Sequence, residues 1–223
     1  MPLSDISNKD LLDNWLDLEC NFSNNHYNSI NQINNIEIGQ ANDSSRKILF
    51  CAPHAFNHFR YNKIKVADIF TGSLCQVLAK ATGQSGIVST CPDNNPDYMG
   101  FGYKYLHQIE RAVSNKLLIV DLHGMSNKYG LDVCIGVGAN PSIRVNQLVK
   151  CLMNDLVDYR VSINEPFAAL AEYTITNFVQ TKLLGDAVQI EIASKLRDPT
   201  NNPIECGVFL RTIAKSFSRY LAE

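Results

Sequence analysis

Basic residues do not outnumber acidic ones in this 223-residue chain. Twenty Lys and Arg stand against 22 Asp and Glu, a formal charge of −2, which leaves no cationic surplus to drive binding to a phosphate backbone. The basic residues are also scattered, and nucleic acid is not an expected partner. Paired cysteines are missing too. The seven cysteines, at 20, 51, 75, 91, 134, 151 and 206, are odd in number, widely spaced and include no CxxC, which speaks against a disulfide framework and a cysteine-based metal knuckle. Several lie in apolar runs such as ILFCAP and LDVCIGVG and are expected as buried free thiols. No apolar run is long enough to cross a bilayer. The segment MPLSDISNKDLLDNWLDLE carries acidic residues where a secretory leader needs a basic start, so a soluble, cytoplasmic protein is expected, with no membrane partner.

What is present is enough apolar content, 45%, for one substantial core. Leu11, Leu12, Trp15 and Leu16 recur at helical spacing behind the possible caps Ser4 and Asp5, so residues 4–19 read as an amphipathic helix with Trp15 as a packing anchor. An Asn- and Ser-rich stretch follows, with one short edge strand near 36–38 and a solvated His26. From residue 47 short apolar runs alternate with helical segments. Strands are expected at 47–53, 85–92, 115–124, 131–138, around YRVSINEPF and at 186–193. Helices are expected at 66–83, 98–115, 142–157, 174–184 and 203–221. Such alternation implies an α/β fold with a mixed, mostly parallel sheet covered by helices on both faces. No repeat or interdomain linker is visible. Residues 1–46 are therefore assigned to the same single domain as the body at 47–223.

Three reactive side chains fall at or near the ends of these strands: His54 after ILFCAP, His123 after LLIVD, and Glu191 within VQIEIA. Ligands of open α/β sheets bind beyond the carboxyl ends of the strands, so separate strands can converge on one site there. His54 and His123 with Asp68, near the start of the next helix, make a two-histidine, one-carboxylate set. That set suits catalytic zinc because three protein ligands leave a position open for water. Glu191 is the candidate general base. Each residue also has a structural alternative: a hydrogen-bonded histidine for His54, a helix-start carboxylate for Asp68, turn chemistry for His123, a paired core charge for Glu191. Spacing alone leaves both readings open.

The segments APHAFNHFRYNKIKVADIFTGSL, DLHG followed by LDVCIGVG, and VQIEIASKLR, together spanning about residues 47–198, resemble the N-formylglutamate amidohydrolase family, which shares a core with zinc carboxypeptidases. The order His54, Asp68, His123, Glu191 is similar to the family's order of metal-binding His, acid and His followed by a catalytic Glu. The resemblance implies a hydrolase-like (phosphorylase/hydrolase-type, zinc carboxypeptidase-like) fold, one zinc ion per chain and hydrolysis of an amide bond in an N-acyl amino acid or small peptide. DxxT at Asp68 to Thr71 is similar to the family's ExxT, one methylene shorter in the ligand arm. PHAF replaces the usual PHGG, which motivates an alternative reading as an inactive metal- or ligand-binding member; a metallopeptidase or esterase is a further alternative.

Around this set, Arg60 and Arg197 are candidates to grip a substrate carboxylate through a bidentate guanidinium. Asp121 shares a strand face with His123 and is expected to orient an imidazole or to interact with Arg60. Thr71 is expected to serve Asp68 through a hydrogen bond, and His58 to act beside the ligands rather than as one. His107 reads as a surface or packing residue. GVGAN at 136–140 lacks both a full GxGxxG and a following Lys with Ser or Thr, so nucleotide binding is not expected.

Overall fold

The computed structural model describes residues 8–28, 36–39, 46–60, 63–89 and 103–223. The expected caps Ser4 and Asp5, residues 98–102 of the expected third helix, Cys91 and the side chain of Arg60 lie outside the described residues. A seven-stranded sheet forms the centre, built from β1 (Ile36–Ile38), β2 (Ile48–Ala52), β5 (Ser85–Val88), β6 (Leu118–Met125), β7 (Val133–Gly136), β8 (Val161–Ile163) and β9 (Ala187–Ala193). Its spatial order is β1-β5-β2-β6-β9-β7-β8. The inner strands β5, β2, β6 and β9 run parallel, whereas β1 on β5 and β7 on β9 are antiparallel. This is the mixed, mostly parallel sheet expected from the alternation of strands and helices.

The central strands are apolar on both sides because helices cover both faces. Ile48, Phe50 and Ala52 of β2 and Leu118, Val120 and Leu122 of β6 enter one core. That core is shared with α1 (Asn8–Ser23), α2 (Thr71–Thr82), α4 (Ile143–Asp155) and α7 (Pro203–Ala222). The alternate residues Leu49, Cys51 and Ile119 pack instead with α3 (Tyr103–Ser114) and α5 (Ile175–Thr181). On β6 and β9 that second face changes chemistry near the carboxyl ends: Asp121 and His123, and Gln189 and Glu191, continue the rows begun by Ile119 and Ala187. The period of two therefore delivers four polar groups to one side of two neighbouring strands.

The N-terminal helix packs as an integral layer. Trp15 is fully buried and donates its indole N–H to Ser73 Oγ of α2 at 2.9 Å. Ser73 in turn donates to the buried carboxylate of Glu19, which also accepts from the Tyr27 hydroxyl. A hairpin of β3 (His58–Arg60) and β4 (Lys63–Lys65), which the expected elements omit, sits between β2 and α2. A four-residue helix α6 (Ser194–Arg197) follows β9 directly. Of the six described cysteines, Cys20 is exposed and the other five are buried free thiols.

Gly72 locates the most crowded contact between α1 and α2. A Cβ there would lie 2.5 Å from the Phe22 ring and 2.8 Å from Ala55 Cβ. Gly72→Ala is expected to destabilise the protein by about 1–2 kcal/mol net, since overpacking outweighs the roughly 1 kcal/mol that alanine gains in helix propensity. A shift of the urea midpoint to lower concentration checks this; an unchanged midpoint would show that α1 yields at this contact.

Candidate metal centre

Local backbone brings the first two candidate ligands together. After β2 the chain turns through Pro53, makes the β3–β4 hairpin and returns, so that Asp68 N–H donates to the His54 carbonyl at 2.8 Å. The next turn is closed by Thr71, whose hydroxyl donates to the Asp68 carbonyl at 2.6 Å. Thr71 thus fixes the backbone of Asp68 rather than its carboxylate. The carboxylate points at the end of β6, where Gly124 N–H donates to Asp68 Oδ2 at 3.1 Å.

Around that oxygen the two imidazoles converge. His54 Nδ1 lies 3.5 Å and His123 Nδ1 3.6 Å from Asp68 Oδ2. One ligand atom from each of the three residues falls within 4.8 Å of the others, a grouping among the described residues that could hold a metal ion. Asp121, as the strand alternation requires, approaches the far side of the His123 ring, with Oδ2 3.0 Å from Nε2. A carboxylate on one ring nitrogen fixes the tautomer and leaves the other nitrogen directed at the centre. His58 stacks on His54 with centroids 4.9 Å apart, and its Nδ1 is 3.0 Å from the Phe56 carbonyl. It supports the first histidine from behind.

Glu191 stands directly across from His123 in the β6–β9 register. Gln189, two residues earlier on the same face, donates its amide N–H to Glu191 Oε1 at 3.0 Å. The five ionisable groups Asp68, His54, His123, Asp121 and Glu191 shape one another. Burial disfavours the charged form of Asp68, yet the neighbouring His123 and His54 imidazoles and the Lys65 ammonium hold its pKa well below the usual carboxylate range. Burial likewise opposes an imidazolium at His123, but the Asp121 and Asp68 carboxylates keep its pKa well above the usual value. For Glu191 burial dominates: although the His123 charge opposes the shift, the carboxyl is pushed up to about 7.

A lysine that sequence reasoning missed completes the cluster. Lys65, at the end of β4, donates from Nζ to His54 Nδ1 at 2.8 Å and lies 3.6 Å from Asp68 Oδ1. In KIKVAD it looks like one more surface lysine, and only the hairpin aims it inward. Gln189 was missed as well, although its alternation with Glu191 is a signal that could have found it. Arg197 corrects an expectation. It is buried behind Gly124 rather than lining the cavity, and its guanidinium donates to the carbonyls of Ile192 at 3.0 Å, Met125 at 3.4 Å and Ile69. It ties β9, β6 and the turn before α2 together. His26 and His107 are exposed and stand apart from the cluster.

The cluster opens into a cavity of about 560 Å³, whose lining includes His54, Lys65, Asp68, His123, Gln189 and Glu191. That volume falls in the range typical of small-molecule sites.

With this geometry in view, comparison with known proteins is informative. No protein-family model and no curated protein matches the sequence. Among solved structures, N-formylglutamate amidohydrolase from Ralstonia eutropha superposes with a TM-score of 0.57 at 13% identity, over 82% of this chain and 94% of that one. The chain has the fold of N-formylglutamate amidohydrolase. A bacteriophage poly-gamma-glutamate hydrolase shares that fold with a TM-score of 0.56 at 16% identity, over 84% of this chain and 88% of its own. A protein from Burkholderia mallei assigned as a carboxypeptidase gives a TM-score of 0.50 at 11% identity, over 84% of this chain but only 59% of that longer one. At such identities the likeness to N-formylglutamate amidohydrolase is one of fold alone, and the chemistry rests on the residues themselves.

The donor set fits a divalent cation. Two imidazole nitrogens and one carboxylate oxygen suit zinc and leave room for further ligands, and the Lys65 ammonium already marks the space between His54 and Asp68 as one that attracts positive charge. Because Lys65 uses the lone pair on His54 Nδ1 that a metal would need, the two cations compete. Lys65→Met is expected to tighten zinc binding about three- to ten-fold, the worth of one hydrogen bond of ordinary net strength. Titration against a fluorescent chelator measures this, and an affinity unchanged or weakened in the variant would rule the competition out.

Proposed function

We propose that this protein is a zinc-dependent amidohydrolase that cleaves the amide bond of an N-acyl amino acid or small peptide. The observation that carries this reading is the convergence of His54, Asp68 and His123 on one point, with a buried Glu191 as the cross-strand neighbour of His123. His54, Asp68 and His123 would hold the ion. When bound, zinc supplies a Lewis acid for the carbonyl and lowers the pKa of water.

The rest is done by the chain's own side chains. Glu191 accepts a proton from the attacking water and passes it to the leaving nitrogen, a task suited to a carboxyl whose pKa burial has raised to about 7. Gln189, through its hydrogen bond to Oε1, holds that carboxylate in one orientation. Asp121 fixes the His123 ring, His58 backs His54, and Thr71 and Arg197 hold the turn that presents Asp68. Arg60, at the end of β3, is retained as a candidate to bind a substrate carboxylate. The PHAF sequence fits the active reading. Ala55 and Phe56 are buried, and Phe56 packs its ring 5.1 Å from Phe22 of α1, so the bulk replacing two glycines faces the core.

Glu191→Gln is expected to retain stoichiometric zinc while kcat falls by about 10²- to 10⁴-fold, the usual contribution of a general base. His54→Ala and His123→Ala are expected to lose the metal. Metal analysis beside hydrolysis of an N-acyl amino acid panel decides: wild-type protein that cannot be loaded with zinc would end the proposal.

The base works as a carboxylate, so activity should fall as pH drops through its pKa. A neighbouring cation favours the carboxylate, so the acid limb of kcat/KM for the zinc enzyme is expected no higher than about pH 7. A limb well above 7, or none that disappears in Glu191→Gln, would assign the proton to another group.

A further inference from the structure

The lining of the cavity away from the ligands has a chemistry of its own. It comes from the end of β6 and the 3-10 turn after it, and from the loop between β8 and α5. Met125, Tyr129, Phe167, Leu170 and Tyr173 supply it. Tyr129 and Phe167 meet edge to face with centroids 5.1 Å apart. Leu170 is 55% exposed and Tyr129 and Tyr173 are each 42% exposed. Large apolar groups left wet around a concave site are those whose burial a ligand can exploit.

The charges in the same cavity point the same way. Asp68, Asp121 and Glu191 all line it, whereas no arginine does among the described residues. Its lysines are Lys65, held by His54 and Asp68, and Lys128, whose Nζ lies 5.4 Å from the centroid of the Tyr129 ring. One free carboxylate on a substrate has Lys128 within reach of the apolar wall. A second, on an acidic side chain, would meet three carboxylates and no described guanidinium.

We infer that this site selects amides whose group beside the scissile bond is aromatic or large aliphatic rather than acidic. The inference rests on the amidohydrolase reading of the same site. It separates this chain from the two neighbours whose names specify glutamate.

Calorimetric titration of the wild-type protein with N-acetyl-L-phenylalanine, N-acetyl-L-leucine and N-acetyl-L-glutamate provides the test. The phenylalanine compound is expected to bind at least about ten-fold more tightly than the glutamate compound, the scale on which burial of one aromatic group discriminates. Leu170→Asp and Phe167→Ala are each expected to reduce that ratio about five-fold or more. Leu170 is half exposed, so its variant should keep the wild-type melting temperature. Equal or tighter binding of N-acetyl-L-glutamate would overturn the inference, as would a ratio unmoved in both variants or no binding of any of the three at millimolar concentration. Turnover by the zinc-loaded protein separates the two readings. Hydrolysis of none of them with the binding preference intact sinks the hydrolase and leaves the selectivity, whereas fastest hydrolysis of N-acetyl-L-glutamate keeps the hydrolase and sinks the selectivity.

Discussion

A carboxylate as far withdrawn from water as that of Asp68, whose side chain keeps 12% of its exposure, is costly to desolvate unless positive charge and hydrogen-bond donors replace the lost hydration. Three of the elements that reach the site contribute to that replacement. β2 brings His54, β4 brings Lys65, and β6 brings His123 with the Gly124 N–H. The same requirement explains the tight path of the chain from 53 to 71: Asp68 can sit between two strand ends only if the turn before α2 is anchored to His54 on one side and to Arg197 on the other. A concentration of donors around one anionic oxygen is also a cation site, so the interactions that stabilise Asp68 are those a metal would take over.

The cost is then passed outward. Arg197, itself buried, is compensated by three carbonyls at the ends of β6, β9 and the Asp68 turn. It fits only because residue 124 has no side chain; a Cβ there would lie 2.5 Å from the guanidinium. Gly124 therefore serves both neighbours, offering its N–H to Asp68 on one side and empty space to Arg197 on the other. Removing water from this region also raises the pKa of Glu191, so the burial that makes the ligand set demanding is the burial that tunes the base.

What could be read in the sequence follows from the range of each interaction. The strands around His54, His123 and Glu191 were legible because apolar runs declare buried strands, and alternation then placed Asp121 beside His123 without any knowledge of the fold. His123 lies inside β6, two residues before its end, within the strand expected at 115–124. Lys65 was illegible: its role depends on a hairpin of two three-residue strands, HFR and KIK, too short to declare themselves by alternation, and a lysine gives no sign of where its long stem will lead. Arg197 misled for the opposite reason. A guanidinium near a candidate site suggests anion binding, yet carbonyls at strand ends satisfy the same donors, and only three-dimensional proximity tells the two apart.

The departure from paired glycines after His54 shows how the N-terminal layer and the site are coupled. Phe56 is accommodated because α1 places Phe22 against it, and Gly72 of α2 supplies the space that Ala55 and Phe22 fill. The N-terminal helix, which lies outside the span of the family resemblance, thus backs the loop carrying the first candidate ligand. The sheet and its register suffice to give the fold shared with two named hydrolases at 13% and 16% identity, whereas the wall from β8 to α5 takes no part in that register. Selectivity is therefore free to differ between proteins whose ligand-bearing strands coincide, and it has to be argued from the wall rather than from the fold.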